Sequence, residues 1–194
     1  AKPEAPWSLA HLSILSKKLL GLSFVFFVTI HLTFDPDLTN IFDREDVTFD
    51  IFKKLVKNGS IVRSIVTKNT KDKPRSFFDG IDKWAKEEGS SGLAYFTLEK
   101  GDKISAKGPV GKFFSENSLI EIMKQTSANI GDTVFLSCGK KNDVEKILSI
   151  ARNKIAEDLD LIDNETYSFC WIVDYPMYEI DEITKKIKFS HNPF

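Results

Sequence analysis

The chain has 194 residues, 42% of them hydrophobic and 28% charged, enough for one domain or one domain with part of another. That apolar fraction excludes a disordered chain. Seven prolines and ten glycines exclude a collagen-like or low-complexity one. The 27 basic against 28 acidic side chains exclude a strongly basic nucleic-acid binder or an acidic tail. Only four of the basic residues are arginines, Arg44, Arg63, Arg75 and Arg152. Guanidinium is the preferred partner of phosphate and carboxylate, so a complete nucleotide-activating site is not expected from so few.

Residues 19–34, LLGLSFVFFVTIHLTF, carry no charge and follow Lys17 and Lys18. The basic pair and apolar core resemble an export signal, but no small-x-small cleavage site follows and the chain does not open on Met. Ser23, Thr29 and His31 interrupt the run, which falls short of the continuous apolar stretch a spanning helix needs. A buried strand or helix is the expectation, with a membrane tether as the rival reading.

DPDLTN (35–40) reads as a turn. From Asp46, the apolar positions Val47, Phe49, Ile51, Phe52, Leu55 and Val56 predict a helix stopped at Asn58-Gly59. SIVRSIVT (60–67) alternates and is β-branched, which predicts a strand. KNTKDKPR (68–75) is a charged loop. A helix over 76–88 follows, capped by Ser76, with Phe77, Phe78, Ile81, Trp84 and Ala85 on one face. LAYFTLE (93–99) is the next strand, EKGDK (99–103) a turn and KGPVGKFF (107–114) a loop. Ser115 caps a helix to about Thr126 that turns Leu119, Ile120, Ile122 and Met123 inward. TVFLSC (133–138) is a strand. Asn142 or Asp143 then caps a long helix carrying Val144, Ile147, Leu148, Ala151 and Ile155. SFCWIVD (168–174) is a strand, and Tyr178–Phe189 a hairpin turning at DEITKK. The alternation of helices and strands predicts a mixed layer with helices packed on a sheet.

Few residues suggest chemistry. Cys138 and Cys170 sit in apolar runs, outside any CxxC pair, and read as buried free thiols; no metal site is expected. SCGKKNDVEKIL (137–148) places Gly-Lys at a helix start, where phosphate can bind, but the spacing of a Walker loop is absent. Gly108-Pro109-Val110-Gly111 matches the GXXG of KH modules without the two flanking helices. Phe42-Asp43-Arg44-Glu45-Asp46 is either a nucleotide-binding fragment or a charge cluster leading into a helix. Asp163, Glu165 and Asp174 lie near strand ends, where α/β proteins place ligands. They lack a histidine or arginine partner at hand, so no acid–base pair is assigned. His11 and His31 have no partners at useful spacing. His191, in Ser-His-Asn-Pro-Phe after the hairpin, is the histidine most open to a function.

Ordered motifs then point to one family. Gly92-Leu93-Ala94-Tyr95 matches a G-L-A-Y strand, and Lys107-Gly108-Pro109-Val110-Gly111-Lys112-Phe113 a K-G-P-[IV]-x-K-F loop. Ala151-Arg152-Asn153-Lys154, with Glu157-Asp158-Leu159 and Leu161-Ile162-Asp163, is similar to a helix returning from an insert. Trp171-Ile172-Val173-Asp174-Tyr175-Pro176-Met177-Tyr178-Glu179 looks like W-V-V-D-F-P-M-F-E, and Ser190-His191-Asn192-Pro193-Phe194 like an H-H-P-F segment. DPDLTN looks like D-K-P-D-L-R, although the match stays weak up to about residue 58. With these motifs in this order the chain resembles the bacterial-type aspartyl-tRNA synthetases.

The resemblance implies an α+β chain. It comprises an atypical apolar lead over 1–37, a layered GAD insertion domain over 38–153 with helices packed on a sheet, and strands of a class II catalytic fold over 154–194. The parent enzyme joins aspartate to tRNA-Asp with ATP and Mg²⁺ as a cytoplasmic homodimer, with no DNA and no membrane partner. His191 matches a histidine that helps recognise the substrate aspartate; Asn192 stands where the family has a second histidine. Motif 1 is not found here. Motif 2, with its arginine for the α-phosphate, and motif 3, with its arginine for the far end of ATP, are not found either. Phe42-Asp43-Arg44-Glu45-Asp46 echoes motif 2 on the wrong side of DPDL. The expectation is therefore a fragment of an aspartate–tRNA ligase with no catalytic residue of its own and no cofactor bound alone. The alternative is a stand-alone GAD-type module docking tRNA or a protein through loop 68–75, Lys107 and Lys112.

Overall fold

The computed structural model describes residues 36–162, 177–181 and 184–189. The lead over 1–35, the strand expected at 168–174, Cys170, Asp163, Glu165, Asp174, His11, His31 and His191 lie outside the described residues. The described residues fall in two units, one up to Ile162 and one holding the hairpin.

The first unit runs as a 3-10 turn Thr39–Asp43, α1 Asp50–Lys57, β1 Ile61–Thr67, α2 Arg75–Glu87, β2 Ala94–Lys100, β3 Ile104–Lys107, a 3-10 turn Gly111–Phe113, α3 Glu116–Thr126, β4 Thr133–Gly139 and α4 Lys141–Asp158. The sheet is antiparallel in the order β1-β4-β2-β3, so the last strand made is inserted between the first two. Helices lie on both faces, which makes the mixed α+β layer the alternation predicts.

The pleat sorts the core into two clusters. Val62 and Val66 of β1, Phe96 and Leu98 of β2, and Val134, Leu136 and Cys138 of β4 face one side. They pack there with Leu38, Ile41, Phe42, Val47, Phe49 and Val110, and with Leu119 and Ile122 of α3. Ile65, Tyr95 and Phe135 face the other side, under Phe78, Ile81 and Ala85 of α2 and Val144, Ile147, Leu148, Ala151 and Ile155 of α4. Each fully buried Leu, Ile or Phe contributes about 1.5–3 kcal/mol, so β2 with Phe96 and Leu98 and β4 with Phe135 and Leu136, the strands most rich in them, form the centre of the stability.

Several expectations are corrected. The described part of the expected turn, residues 36–40, is more than a turn: Asp37 bridges to Arg63, and the 3-10 turn from Thr39 buries Ile41 and Phe42. α1 begins at Asp50 rather than Asp46, because Val47 is bridged to Phe114 and Thr48 N–H donates to the Phe113 carbonyl at 2.9 Å. Ser76 lies inside α2, which starts after extended Pro74; the missing N–H of proline costs nothing at a helix start. Lys140, not Asn142 or Asp143, precedes α4. Ile120 faces solvent at 46% exposure, one residue round from the buried Leu119. Ser115 caps α3 as expected, its Oγ accepting from Ser118 N–H at 3.1 Å. The four-residue β3 is an addition to the expected elements.

Both outer strands have their edges covered. On β1, the Leu38 N–H donates to the Val62 carbonyl at 2.8 Å and the Ser64 N–H to the Pro36 carbonyl at 3.2 Å. On β3, the Glu116 carboxylate accepts the Ile104 N–H at 3.0 Å. Gly111 closes onto the Ala106 carbonyl so tightly that a β-carbon would sit 2.3 Å from its oxygen. Covered edges remove the template for pairing with other chains.

In the second unit β5 Tyr178–Ile180 pairs with β6 Ile187–Phe189. The turn is fixed by Asp181, whose carboxylate accepts from the Thr184 N–H and hydroxyl at 2.8 and 2.9 Å. Tyr178, Ile180, Ile187 and Phe189 share one face and are exposed.

Candidate functional site

The motif Gly92-Leu93-Ala94-Tyr95 is held by α2. Asp82 Oδ1 accepts the Leu93 N–H at 2.9 Å, and Asp79 Oδ1 accepts the Tyr95 hydroxyl at 2.6 Å. The two aspartates are three residues apart and therefore share a helix face. Gly92 has φ +105°, and a β-carbon there would meet Asp82 Oδ1 at 2.5 Å, so only glycine suits the position. Burial and the Asp79 carboxylate push the Tyr95 phenol up to about 12. It is a packing phenol stacked on Phe78 at 5.1 Å, not a proton donor in use near neutrality.

The loop from Lys107 to Phe113 folds back on the sheet. Val110 and Gly111 are buried, and Phe113 stacks on Phe49 at 5.0 Å. Lys112 Nζ lies over the Phe113 ring at 5.1 Å, and Lys107 pairs with Glu99 at 3.7 Å. A strand precedes the glycines and a 3-10 turn includes Gly111, so the two helices a KH clamp needs are not in place.

Residues 42–46 form an internal clasp. Asp46 accepts from Arg44 Nε and Nη2 at 2.8 and 3.0 Å, and from the Ser115 hydroxyl at 2.5 Å. These bonds hold its carboxyl down at about 2 and raise the pKa of Arg44. Lys53 Nζ donates to the Arg44 and Val47 carbonyls at 2.7 and 3.1 Å. The segment anchors α1 and α3 to each other, which uses the charges of Arg44 and Asp46.

A second polar cluster sits where β1 ends and β4 begins. Asp132, 1% exposed, accepts from the Lys68 ammonium at 3.0 Å and the Asn69 and Asn129 amides at 2.9 and 2.7 Å. Beside it Thr133 Oγ1 meets Thr70 Oγ1 at 2.9 Å and Thr97 Oγ1 at 2.8 Å, and Thr67 meets Thr70 at 3.1 Å. Buried polar groups survive when every one is paired, and this network ties loop 68–74 to the sheet. It also withdraws Lys68 from the cationic face expected of that loop. Arg75 pairs with Asp79 at 3.2 Å, and Lys73 lies over the Phe77 ring at 5.8 Å.

Three of the four arginines serve different elements, and Arg152 lies on α4, the helix that Arg63 meets. Arg44 serves Asp46 on the α1/α3 side, Arg75 serves Asp79 on α2, and Arg63 lies 3.6 Å from Glu145 of α4. Among the described residues no group of three His, Cys, Asp or Glu could hold a metal. A magnesium–triphosphate complex needs cations gathered on its oxygens and carboxylates on its metal; the described residues do not fit it.

Gly139-Lys140-Lys141 is a strand-to-helix turn. Beside it a groove of about 400 Å³ runs between the end of α2 and the start of α4, lined by Ser90, Ser91, Ser137, Cys138, Ile147 and Ile150 among others. Burial pushes the Cys138 thiol up to about 11, so it is the inert buried thiol expected. Sequence reasoning missed the groove, because its walls come from four separate segments, α1, the turn after α2, β4 and α4. Among the described residues no helix is long and apolar enough to cross a membrane.

Residues 52–148 match the GAD domain family. The chain is 73% identical over 158 residues to the aspartate--tRNA(Asp/Asn) ligase of Pelagibacter ubique strain HTCC1062, a match covering 81% of this chain and 27% of the relative. It is 40% identical over 159 residues to the ligase of the same name from Beijerinckia indica, with 81% and 27% covered. It is 43% identical over 166 residues to that of Acidiphilium cryptum strain JF-5, with 82% and 27% covered. The chain thus matches about a quarter of the length of these relatives.

Proposed function

Because the chain belongs to the GAD domain family, we propose that it serves an aspartate–tRNA ligase as the GAD insertion domain together with the start of the resumed class II catalytic fold. The observation that carries this reading is the 73% identity to the Pelagibacter ligase over 158 residues. The insertion domain spans 38–153, the partial catalytic domain 154–194, and 1–37 is a lead segment. In the parent enzyme aspartate, ATP with Mg²⁺ and tRNA-Asp meet in a cytoplasmic homodimer without DNA or membrane partners. His191 forms part of the aspartate pocket.

The described residues contribute shape rather than reaction chemistry. Their motifs are spent on packing: Asp79 and Asp82 hold Tyr95 and Leu93, and Asp46 holds Ser115. The donors that meet charge on transferring phosphates belong to other parts of the ligase.

The test is a chimera in which the matching stretch of the Pelagibacter ligase is replaced by this chain's. It is expected to charge tRNA-Asp. His191→Ala in that chimera is expected to raise KM for aspartate by about tenfold or more, the worth of a charge-assisted hydrogen bond, with KM for ATP unchanged. The 194-residue chain alone is expected to give no aspartate-dependent ATP–pyrophosphate exchange. Exchange by the isolated chain, or a soluble chimera without charging activity, overturns the reading.

A further inference from the structure

The central strand has one position whose main chain no other strand takes up. β1 pairs with β4 along its whole length, from Ile61↔Gly139 to Thr67↔Thr133. β2 pairs with it only from Ala94↔Leu136 to Thr97↔Thr133. On β1, Val62 points its main chain away from β4: its N–H donates to Thr39 Oγ1 at 2.9 Å and its carbonyl accepts from Leu38 N–H at 2.8 Å. By the alternation of an antiparallel ladder, Cys138 opposite Val62 turns its own N–H and C=O toward the β2 side.

The residue due opposite Cys138 on that side is Gly92, and it is led elsewhere. Asp82 holds the Leu93 N–H, the Ser90 hydroxyl accepts the Gly92 N–H at 2.8 Å, and the positive φ of Gly92 turns the chain off the ladder. Among the described residues nothing bonds to the Cys138 main chain, although the residue is only 6% exposed. Buried backbone groups without partners are rare. The β2 side, toward which the ladder directs this donor and acceptor, is where Ser90, Ser91 and Cys138 line the groove of about 400 Å³.

We propose that this groove docks an extended peptide segment of a partner protein, whose main chain completes the missing rung beside Cys138. One residue's C=O and N–H complement the unpaired N–H and C=O of Cys138, as in strand addition to a sheet edge. Leu55, Ile147 and Ile150 in the groove wall take an aliphatic side chain. Glu88 and Asp143 outnumber Lys146 there, so a segment with flanking lysine or arginine is favoured. The site is independent of the ligase reading.

The probe is the blocked tetrapeptide acetyl-Lys-Val-Val-Lys-amide, titrated into the 194-residue chain and followed by amide NMR. Saturable shifts are expected at Cys138, Ser90 and Ser91, with about tenfold or greater slowing of hydrogen exchange at the Cys138 amide. A peptide N-methylated at its second valine loses the donor and is expected to do neither. Ser91→Trp fills the groove from an exposed position and is expected to abolish the shifts while β1 and β2 resonances stay in place. The proposal is overturned if Cys138 in the free chain exchanges as slowly as Leu136, if the N-methylated peptide acts equally, or if no shift appears at millimolar peptide. A small polar ligand or ordered water as the sole occupant gives the last of these results.

Discussion

The Asp46 carboxylate accepts the Ser115 hydroxyl at 2.5 Å across 69 residues of sequence, and the same Ser115 oxygen caps α3 through Ser118 N–H. One aspartate therefore fixes both the entry to α1 and the start of α3. Its folded-state pKa is depressed to about 2, so its stabilisation is fully present above the unfolded carboxylate value of about 4 and is lost as pH falls toward 2. Asp46→Asn is expected to cost about 1 kcal/mol at neutrality, a figure kept small because Arg44 and Asp46 are 38% and 30% exposed. Urea melts at pH 7, 4 and 2 check it: the gap between wild type and variant narrows from pH 4 to pH 2. Ser115→Ala is expected to cost about 1 kcal/mol.

Two glycine-to-alanine changes should act in opposite directions. Gly80 lies inside α2 with nothing within 4 Å of a β-carbon, so Gly80→Ala is expected to stabilise by about 0.5–1 kcal/mol. Gly111→Ala drives a methyl into the Ala106 carbonyl and is expected to destabilise by about 1–3 kcal/mol, with loosened hydrogen exchange along β3. Thermal melts of the two variants are the measurement.

Asp132 is the most heavily used buried carboxylate of the described residues. Asp132→Ala removes the acceptor for two backbone amides and leaves the half-buried Lys68 without its carboxylate. The expected loss is about 3 kcal/mol. Lys68→Met, which leaves both amides paired, is expected to lose about 1 kcal/mol. Equal losses in denaturant melts would show that the amides contribute nothing.

Ser64 offers the reverse case. Its hydroxyl is wholly buried and makes no hydrogen bond, opposite Leu136 on β1. Ser64→Ala removes an unpaired polar group and is expected to be neutral or to stabilise by up to about 1 kcal/mol. A loss above that in a denaturant melt contradicts the assignment.

Hydrophobic periodicity made β1, β4 and the inner face of α4 legible, since Val144, Ile147, Leu148, Ala151 and Ile155 are all buried as spaced. Ser115 was readable as a cap because its effect is local. β3 escaped because Ile104–Lys107 is four residues long and lies between Gly101 and Gly108. The order β1-β4-β2-β3 is not a property of any window of sequence. The motifs around Tyr95 and Gly111 were visible as words, yet their use depends on Asp79, Asp82 and Ala106, which reach them through the fold. Their spacing could equally have served a ligand. His191, the residue the resemblance singles out, lies outside the described residues.

The placement of β4 between β1 and β2 has a bearing on synthesis. A ribosome makes the two flanking strands first, and neither can satisfy its inner row of amides until residues 133–139 leave the exit tunnel. Until then the nascent polypeptide holds two half-finished ribbons separated by a gap one strand wide. A nascent polypeptide arrested ahead of Thr133 should therefore be an early client for chaperones, whereas one extended through α4 should shed them.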